Sequence, residues 1–149
     1  MSRLIHRRAA LQAGLALGSS GLLLRPARAC EYFGTTLRVT HPWTRATAVG
    51  ADTAVLCMRL DEVTQSDRLI GVQTPVATGA VMGGPRAGSA VDLPIPAGQE
   101  TLLSETGTHI RLTGLKFPLE IARTYPLQLV FEKGGVIEAT LNVDYGRFL

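Results

Sequence analysis

The feature that most constrains this chain is a pair of alternating stretches close to its carboxyl end. Residues 127–131 read Leu-Gln-Leu-Val-Phe, residues 136–143 read Val-Ile-Glu-Ala-Thr-Leu-Asn-Val, and Lys133-Gly134-Gly135 lies between them. A period of two residues is typical of a strand with one buried face, and a glycine pair permits the tight turn that joins two such strands. The sequence therefore predicts a β-hairpin, and any fold of this chain must bury one face of it.

The same alternation recurs along the rest of the chain in short segments separated by turn-forming residues such as 94–98 and 105–107. No window beyond the amino-terminal residues has a helical period, so helix is expected to be nearly absent. Several short strands in one chain of this length favour an all-β fold, a single antiparallel β-sandwich. The eight candidate strands are Leu37–Thr40, Ala51–Asp61, Leu69–Thr74, Ala87–Leu93, Glu100–Leu103, Thr108–Leu112, Leu127–Phe131 and Val136–Val143.

The first 29 residues have the organisation of a signal peptide that directs export. Arg7-Arg8 precedes an apolar run from 9 to 24 that contains several glycines, and Ala27-Arg28-Ala29 offers small residues for cleavage. The arginine pair and the modest apolarity favour the twin-arginine export route. A bilayer span needs about 20 continuous apolar residues, so this run is not expected to remain as an anchor. The sequence therefore predicts a periplasmic domain, residues 30–149, without a membrane span.

The charge of the chain changes sign when this segment is removed. Five of the 15 basic residues lie in positions 1–29, which hold no acidic residue, so the mature part carries ten basic and 12 acidic residues. Its net charge is near −2, and its basic residues are scattered singly rather than clustered. A nucleic-acid partner is therefore not expected.

Two cysteines are present, and export makes a disulfide between Cys30 and Cys57 chemically possible without deciding whether it forms. Cys57 lies in an apolar stretch, which favours a small buried thiol. Cys30 would be the first residue of the mature chain. Lipid attachment there is not expected, because Arg28 is bulky and charged where a lipidation signal has small residues.

Three motifs resemble the PCu(A)C family of periplasmic copper chaperones. They are Pro42-Trp43-Thr44-Arg45-Ala46, the segment Asp-Arg-Leu-Ile-Gly-Val-Gln-Thr-Pro-Val-Ala at 67–77, and His-Ile-Arg-Leu-Thr-Gly-Leu at 109–115. The resemblance implies a cupredoxin-like or Ig-like Greek-key sandwich that carries Cu(I) for respiratory oxidase assembly. The implied partner is a copper-receiving oxidase assembly protein or another copper chaperone.

The resemblance also implies a Cu(I) site of two histidines and two methionines, which are donors suited to this soft ion. His109 matches the second family histidine, but Arg111 stands where the second methionine belongs. Met82 falls at the position of the first histidine and is the candidate second ligand, while the hairpin that follows it is shortened. His41 is a spare imidazole, and Met58 is expected in the core. The alternative for His109 is a structural histidine bonded to a backbone carbonyl.

Two functions remain open from the sequence. The first is a copper chaperone whose binding is weakened or is completed by a partner. The second is a β-sandwich that has lost metal binding and acts as a protein-interaction or accessory module. An enzyme is not predicted, because the spacing of residues indicates no pair of nucleophile and base.

Overall fold

The computed structural model describes residues 30–144, so the predicted signal peptide and residues 145–149 lie outside the described part. No helix in this part is long and apolar enough to cross a membrane. The described chain forms one short 3-10 turn, Gly84–Arg86, and ten strands. The strands are β1 (Glu31–Phe33), β2 (Arg38–Thr44), β3 (Thr53–Asp61), β4 (Asp67–Gln73), β5 (Ala77–Gly83), β6 (Leu93–Ile95), β7 (Thr101–Leu103), β8 (His109–Leu115), β9 (Thr124–Phe131) and β10 (Gly135–Val143).

The strands join edge to edge in the order β5-β8-β3-β2-β10-β9-β4-β6, with β1 added to β2 and β7 added to β3. This arrangement confirms the predicted all-β architecture. Among the described strands one pair, β2 with β10, is parallel, with Trp43 opposite Asn142. Antiparallel pairing was therefore predicted correctly for the other neighbours but not for this one.

The predicted hairpin is formed by β9 and β10, with Phe131 opposite Gly135 and Leu129 opposite Ile137. Gly135 has φ +73°, a conformation that glycine adopts without steric cost and that closes the turn. The inward-facing residues of both strands are buried, including Leu127 at 1% exposure and Leu141 at 0%. Burying a leucine side chain of this kind stabilises the fold by about 2 kcal/mol.

The hydrophobic core is shared between this hairpin and the middle of β3. Leu56, Met58 and Leu60 point into it from alternate positions of β3, and Ile110 and Leu112 do so from β8. Met58 is only 1% exposed, which confirms its predicted place in the core. Cys57 lies between two of these residues in the sequence and so leaves β3 on the opposite face.

The predicted strand Ala87–Leu93 is wrong, because that segment is mostly a connection between β5 and β6. Gly88, within the predicted strand, has φ +86°, so an extended strand cannot run through this position. The connection folds back on β5 through a hydrogen bond from Met82 N to Ser89 O of 2.8 Å. The strand at this edge is instead β5, which ends at Gly83, four residues before Ala87.

Asp67 ties the start of β4 to the turn between β9 and β10. Its carboxylate accepts hydrogen bonds from Thr36 Oγ1 at 2.7 Å, Arg68 N at 2.7 Å, Lys133 N at 2.8 Å and Gly134 N at 2.9 Å. Burial alone would raise the pKa of Asp67, but these hydrogen bonds outweigh it and the pKa is lowered. The side chain therefore holds this end of the sheet together as a buried anion.

Candidate metal centre

The two halves of the predicted site meet at the edge where β5 pairs with β8. In this antiparallel ladder Gly83 lies opposite His109, Met82 opposite Ile110 and Val81 opposite Arg111. Residues directly opposite each other in a ladder point to the same face of the sheet, whereas adjacent residues of one strand point to opposite faces. The register therefore decides which candidate donors share a face with His109.

Met82 does not share that face. It leaves β5 on the side of Ile110 and is 0% exposed within the hydrophobic core, whereas His109 leaves β8 on the other side. The structure thus does not bring together the two predicted ligands, His109 and Met82. The residue of β5 that faces His109 is Gly83, which has no side chain to offer.

His109 is buried and half satisfied. It is 6% exposed, and its Nδ1 lies 2.9 Å from the carbonyl oxygen of Gly107. A carbonyl only accepts, so Nδ1 carries the proton and Nε2 carries the lone pair. Nε2 is buried and has no hydrogen-bond partner within residues 30–144. The hydrogen bond of Nδ1 to a backbone carbonyl is what a structural histidine requires. The unpartnered Nε2 is what a metal ligand requires, so the ring fits both roles.

The imidazole of His109 rests on the backbone of Gly83. A Cβ built on Gly83 would overlap Nε2 and Cδ2 of His109 and would lie 3.0 Å from its Cε1. This close approach was missed in the sequence, although Met82-Gly83 stands at the family's histidine position and the parity of β5 separates the two residues. A buried nitrogen without a partner costs about 1–3 kcal/mol, and burial of the ring against β5 offsets that cost.

Arg111 shares the face of His109 and is exposed. A permanently charged guanidinium supplies no lone pair and repels a cation. Arg111, which stands where the family resemblance implies a methionine, therefore opposes metal binding rather than supporting it.

Cys57 of β3 flanks His109 on the side away from Gly83. The β3–β8 register ends with Leu56 opposite Ile110, so Cys57 falls one step beyond, and it pairs with Trp43 of β2. Its thiol is fully buried, as predicted. Burial raises the pKa of Cys57 to about 12, and the carboxylate of Glu105 adds to the rise. The thiol is therefore protonated at neutral pH and unreactive.

Glu105 belongs to the loop between β7 and β8 that leads into His109. Nε of Arg45 donates to both of its carboxylate oxygens, at 2.9 and 2.8 Å. Arg45, at the end of the Pro42–Ala46 motif, is thus paired with an acidic side chain. The pair fixes this loop to the end of β2.

The remaining donors lie elsewhere. His41, in β2, has its Nε2 2.7 Å from Oδ2 of Asp144.

Both cysteines are free, with Cys30 exposed. Cys30 precedes β1 and Cys57 lies in β3, with β2 between them, so about two strand spacings, near 10 Å, separate their backbones. A disulfide needs Cα atoms within about 7 Å, so the pair is not positioned to form one.

Comparison with known proteins gives a consistent result. Residues 37–143 match the family model described as "Putative lipoprotein LpqE-like". No curated protein sequence matches.

The solved structures similar to this chain include the following three. The apo PCuAC domain from PmoF1 is 30% identical with a TM-score of 0.70, covering 76% of this chain and 98% of that one. The copper-bound PCuAC domain from PmoF2 is 25% identical with a TM-score of 0.69, covering 76% and 97%. The Cu(I) form of DR1885 from Deinococcus radiodurans is 25% identical with a TM-score of 0.62, covering 76% and 83%.

Proposed function

The chain belongs to the LpqE-like family of PCuAC-type proteins, and from this premise we propose that it is an exported copper chaperone-like protein whose own ligand set has contracted to His109. Two of its relatives are described in copper-bound form, as the PmoF2 domain and as Cu(I)-DR1885. The cargo proposed for this chain is accordingly Cu(I).

The observation that carries the proposal is the bare Nε2 of His109. Its Nδ1–H donates to the carbonyl of Gly107 at 2.9 Å, which fixes the tautomer and leaves the Nε2 lone pair for a metal. A carbonyl bonded to the far nitrogen is the usual support of a histidine ligand. Nε2 itself has no partner among the described residues.

Binding by this centre alone is proposed to be weak. Cu(I) needs at least two soft donors, and the neighbours of His109 on its own face are Gly83, the cationic Arg111 and Cys57, whose buried thiol stays protonated at neutral pH. The thioether of Met82 is on the other face. A partner that carries free imidazole or thioether groups would complete the coordination. A copper-receiving protein of respiratory oxidase assembly, or another copper chaperone, has the required chemistry.

The proposed place of action is the periplasm, reached by twin-arginine export and cleavage after Ala29. Arg7-Arg8, the apolar run that follows and Ala27-Arg28-Ala29 support this. The description of the family as lipoproteins makes lipid attachment at Cys30 the alternative to a free mature protein. Arg28 argues against that attachment.

The test is competition for Cu(I) between the mature protein and a colorimetric chelator under reducing, oxygen-free conditions. His109→Ala should remove the residual binding of the native protein. His41→Ala is the matched control, because it deletes an imidazole held by Asp144 away from β5 and β8. An undiminished affinity in His109→Ala would contradict the proposal.

A second candidate function is a protein-interaction or accessory module without metal. It is favoured by the absence, within residues 30–144, of any group of three or more His, Cys, Asp or Glu side chains placed to hold a metal ion. The same titration separates the two functions, since a pure interaction module takes up no Cu(I) at any chelator concentration.

A further inference from the structure

Gly83 and Gly84 follow one another in the sequence but are glycines for different reasons. Gly84 has φ +76°, a conformation that residues with a Cβ rarely adopt. Gly83 has φ −125° and ψ 170°, which are ordinary values for a strand. The backbone at position 83 would therefore accept alanine, and the reason for glycine there must be sought in its neighbours.

The neighbour of Gly83 is His109. A Cβ at position 83 would occupy the space taken by Nε2 and Cδ2 of the imidazole, and its three nearest atoms all belong to that ring. No backbone atom is among these three contacts. The missing side chain at 83 is thus matched to one group alone, the ring that holds the unpartnered nitrogen.

We infer that Gly83 is the positioning residue of this centre, and that its bare backbone holds His109 in a closed state with Nε2 turned onto β5 and away from metal. The ring is 6% exposed in this state, and Nε2 is buried without a hydrogen-bond partner in the described part of the chain. An open state, in which the ring turns off Gly83, gives Nε2 access to solvent or to a partner.

The smaller the population of the open state, the weaker is the apparent affinity for the metal. A ligand that binds only the open state has an apparent dissociation constant equal to the intrinsic value divided by the open fraction. This consequence for copper rests on the proposed function. The position of the ring does not, and it can be tested without any metal.

The variant to make is Gly83→Ala, which leaves the imidazole no room on β5. Its matched control is Gly79→Ala on the same strand and face, where the new Cβ would meet Thr113 Oγ1 at 3.1 Å and no atom of His109. Each is combined with His109→Ala to complete a double-mutant cycle of melting temperatures.

We expect Gly83→Ala to lower the melting temperature by about 5 °C in the native background and by less than about 2 °C when His109 is already alanine. Gly79→Ala should have the same effect in both backgrounds. An equal effect of Gly83→Ala in both backgrounds would overturn the inference.

Chemical modification gives a second readout in the same proteins. Diethyl pyrocarbonate acylates an accessible imidazole nitrogen. Modification of His109 should therefore become on the order of tenfold faster in Gly83→Ala, because the ring is more often exposed to solvent. His41 is the internal reference and should react at an unchanged rate. An unchanged rate at His109 would also overturn the inference.

Cu(I) competition then separates this inference from the proposed function. Gly83→Ala should bind Cu(I) about tenfold more tightly than the native protein if the open state is the binding state. A positive cycle with no Cu(I) uptake by any variant would retain the closed position of His109 and overturn the copper function instead.

Discussion

Replacing Asp67 with asparagine removes a buried negative charge and leaves the shape of the side chain nearly unchanged. The carboxylate accepts four hydrogen bonds, two at each oxygen, from Thr36 Oγ1 and from the backbone N–H groups of Arg68, Lys133 and Gly134. Asparagine keeps one oxygen and presents an NH₂ group in place of the other. At that position the Thr36 hydroxyl can turn to accept, but the N–H of Gly134 cannot.

The cost follows from these partners. Leaving one buried N–H unsatisfied costs about 1–3 kcal/mol, and the hydrogen bonds that remain lose the strengthening that a charged acceptor provides. We expect Asp67→Asn to lower the free energy of unfolding at pH 7 by about 3 kcal/mol. The exposed Asp92, whose ion pair with Arg68 is at the surface, gives the control Asp92→Asn, with an expected loss below about 1 kcal/mol.

The pH dependence provides an independent check of the same reasoning. Because the pKa of Asp67 is lower in the folded state, its carboxylate contributes stability that is present above the unfolded pKa of about 3.9 and is lost as the pH falls through the folded pKa. Urea unfolding of native protein and Asp67→Asn should therefore converge below about pH 4. Equal losses for the two asparagine variants at pH 7, or a difference that persists unchanged in acid, would refute this account.

Three further outcomes are expected. Arg111→Met should bind Cu(I) about tenfold more tightly than Arg111→Gln, because both remove the charge but only methionine adds a thioether on the face of His109; equal affinities would mean that residue 111 does not reach the metal. Thermal unfolding of the mature domain should coincide with and without a chelator, because its core closes without metal, and a large loss of stability on chelation would reveal a structural ion. Intact mass of the periplasmic protein should correspond to a chain that begins at Cys30, whereas a mass that includes Arg7-Arg8 or a diacylglycerol group would contradict the cleavage or the free mature form.

The parts of the fold that the sequence predicted are those with a local signal. The β9–β10 hairpin has alternation on both strands and a glycine turn, so its register follows from neighbouring residues. β5 was missed because Thr78-Gly79-Ala80 carries little apolar contrast and the strand has a full ladder only on the side of β8. The apolar residues of 87–93 suggested a strand that the positive φ of Gly88 prevents.

The site was half predictable for a related reason. His109 was identified from its motif, and its strand was predicted correctly. Its partner across β5 depends on a register between segments more than 20 residues apart, and a shift of one residue reverses the face of every side chain. The family resemblance indicated Met82, whereas the register brings Gly83 to His109. Position alone could not reveal that a glycine would face the imidazole.

The measurement that tests the central claim most directly is the ¹⁵N chemical shift of the histidine ring nitrogens during an anaerobic titration with Cu(I). If this claim holds, Nε2 of His109 shifts, the ring nitrogens of His41 do not, and saturation requires about micromolar or higher free Cu(I), since a single imidazole contributes little binding energy. Tight one-to-one uptake that leaves His109 unchanged and shifts His41 or the methyl group of Met58 would contradict it.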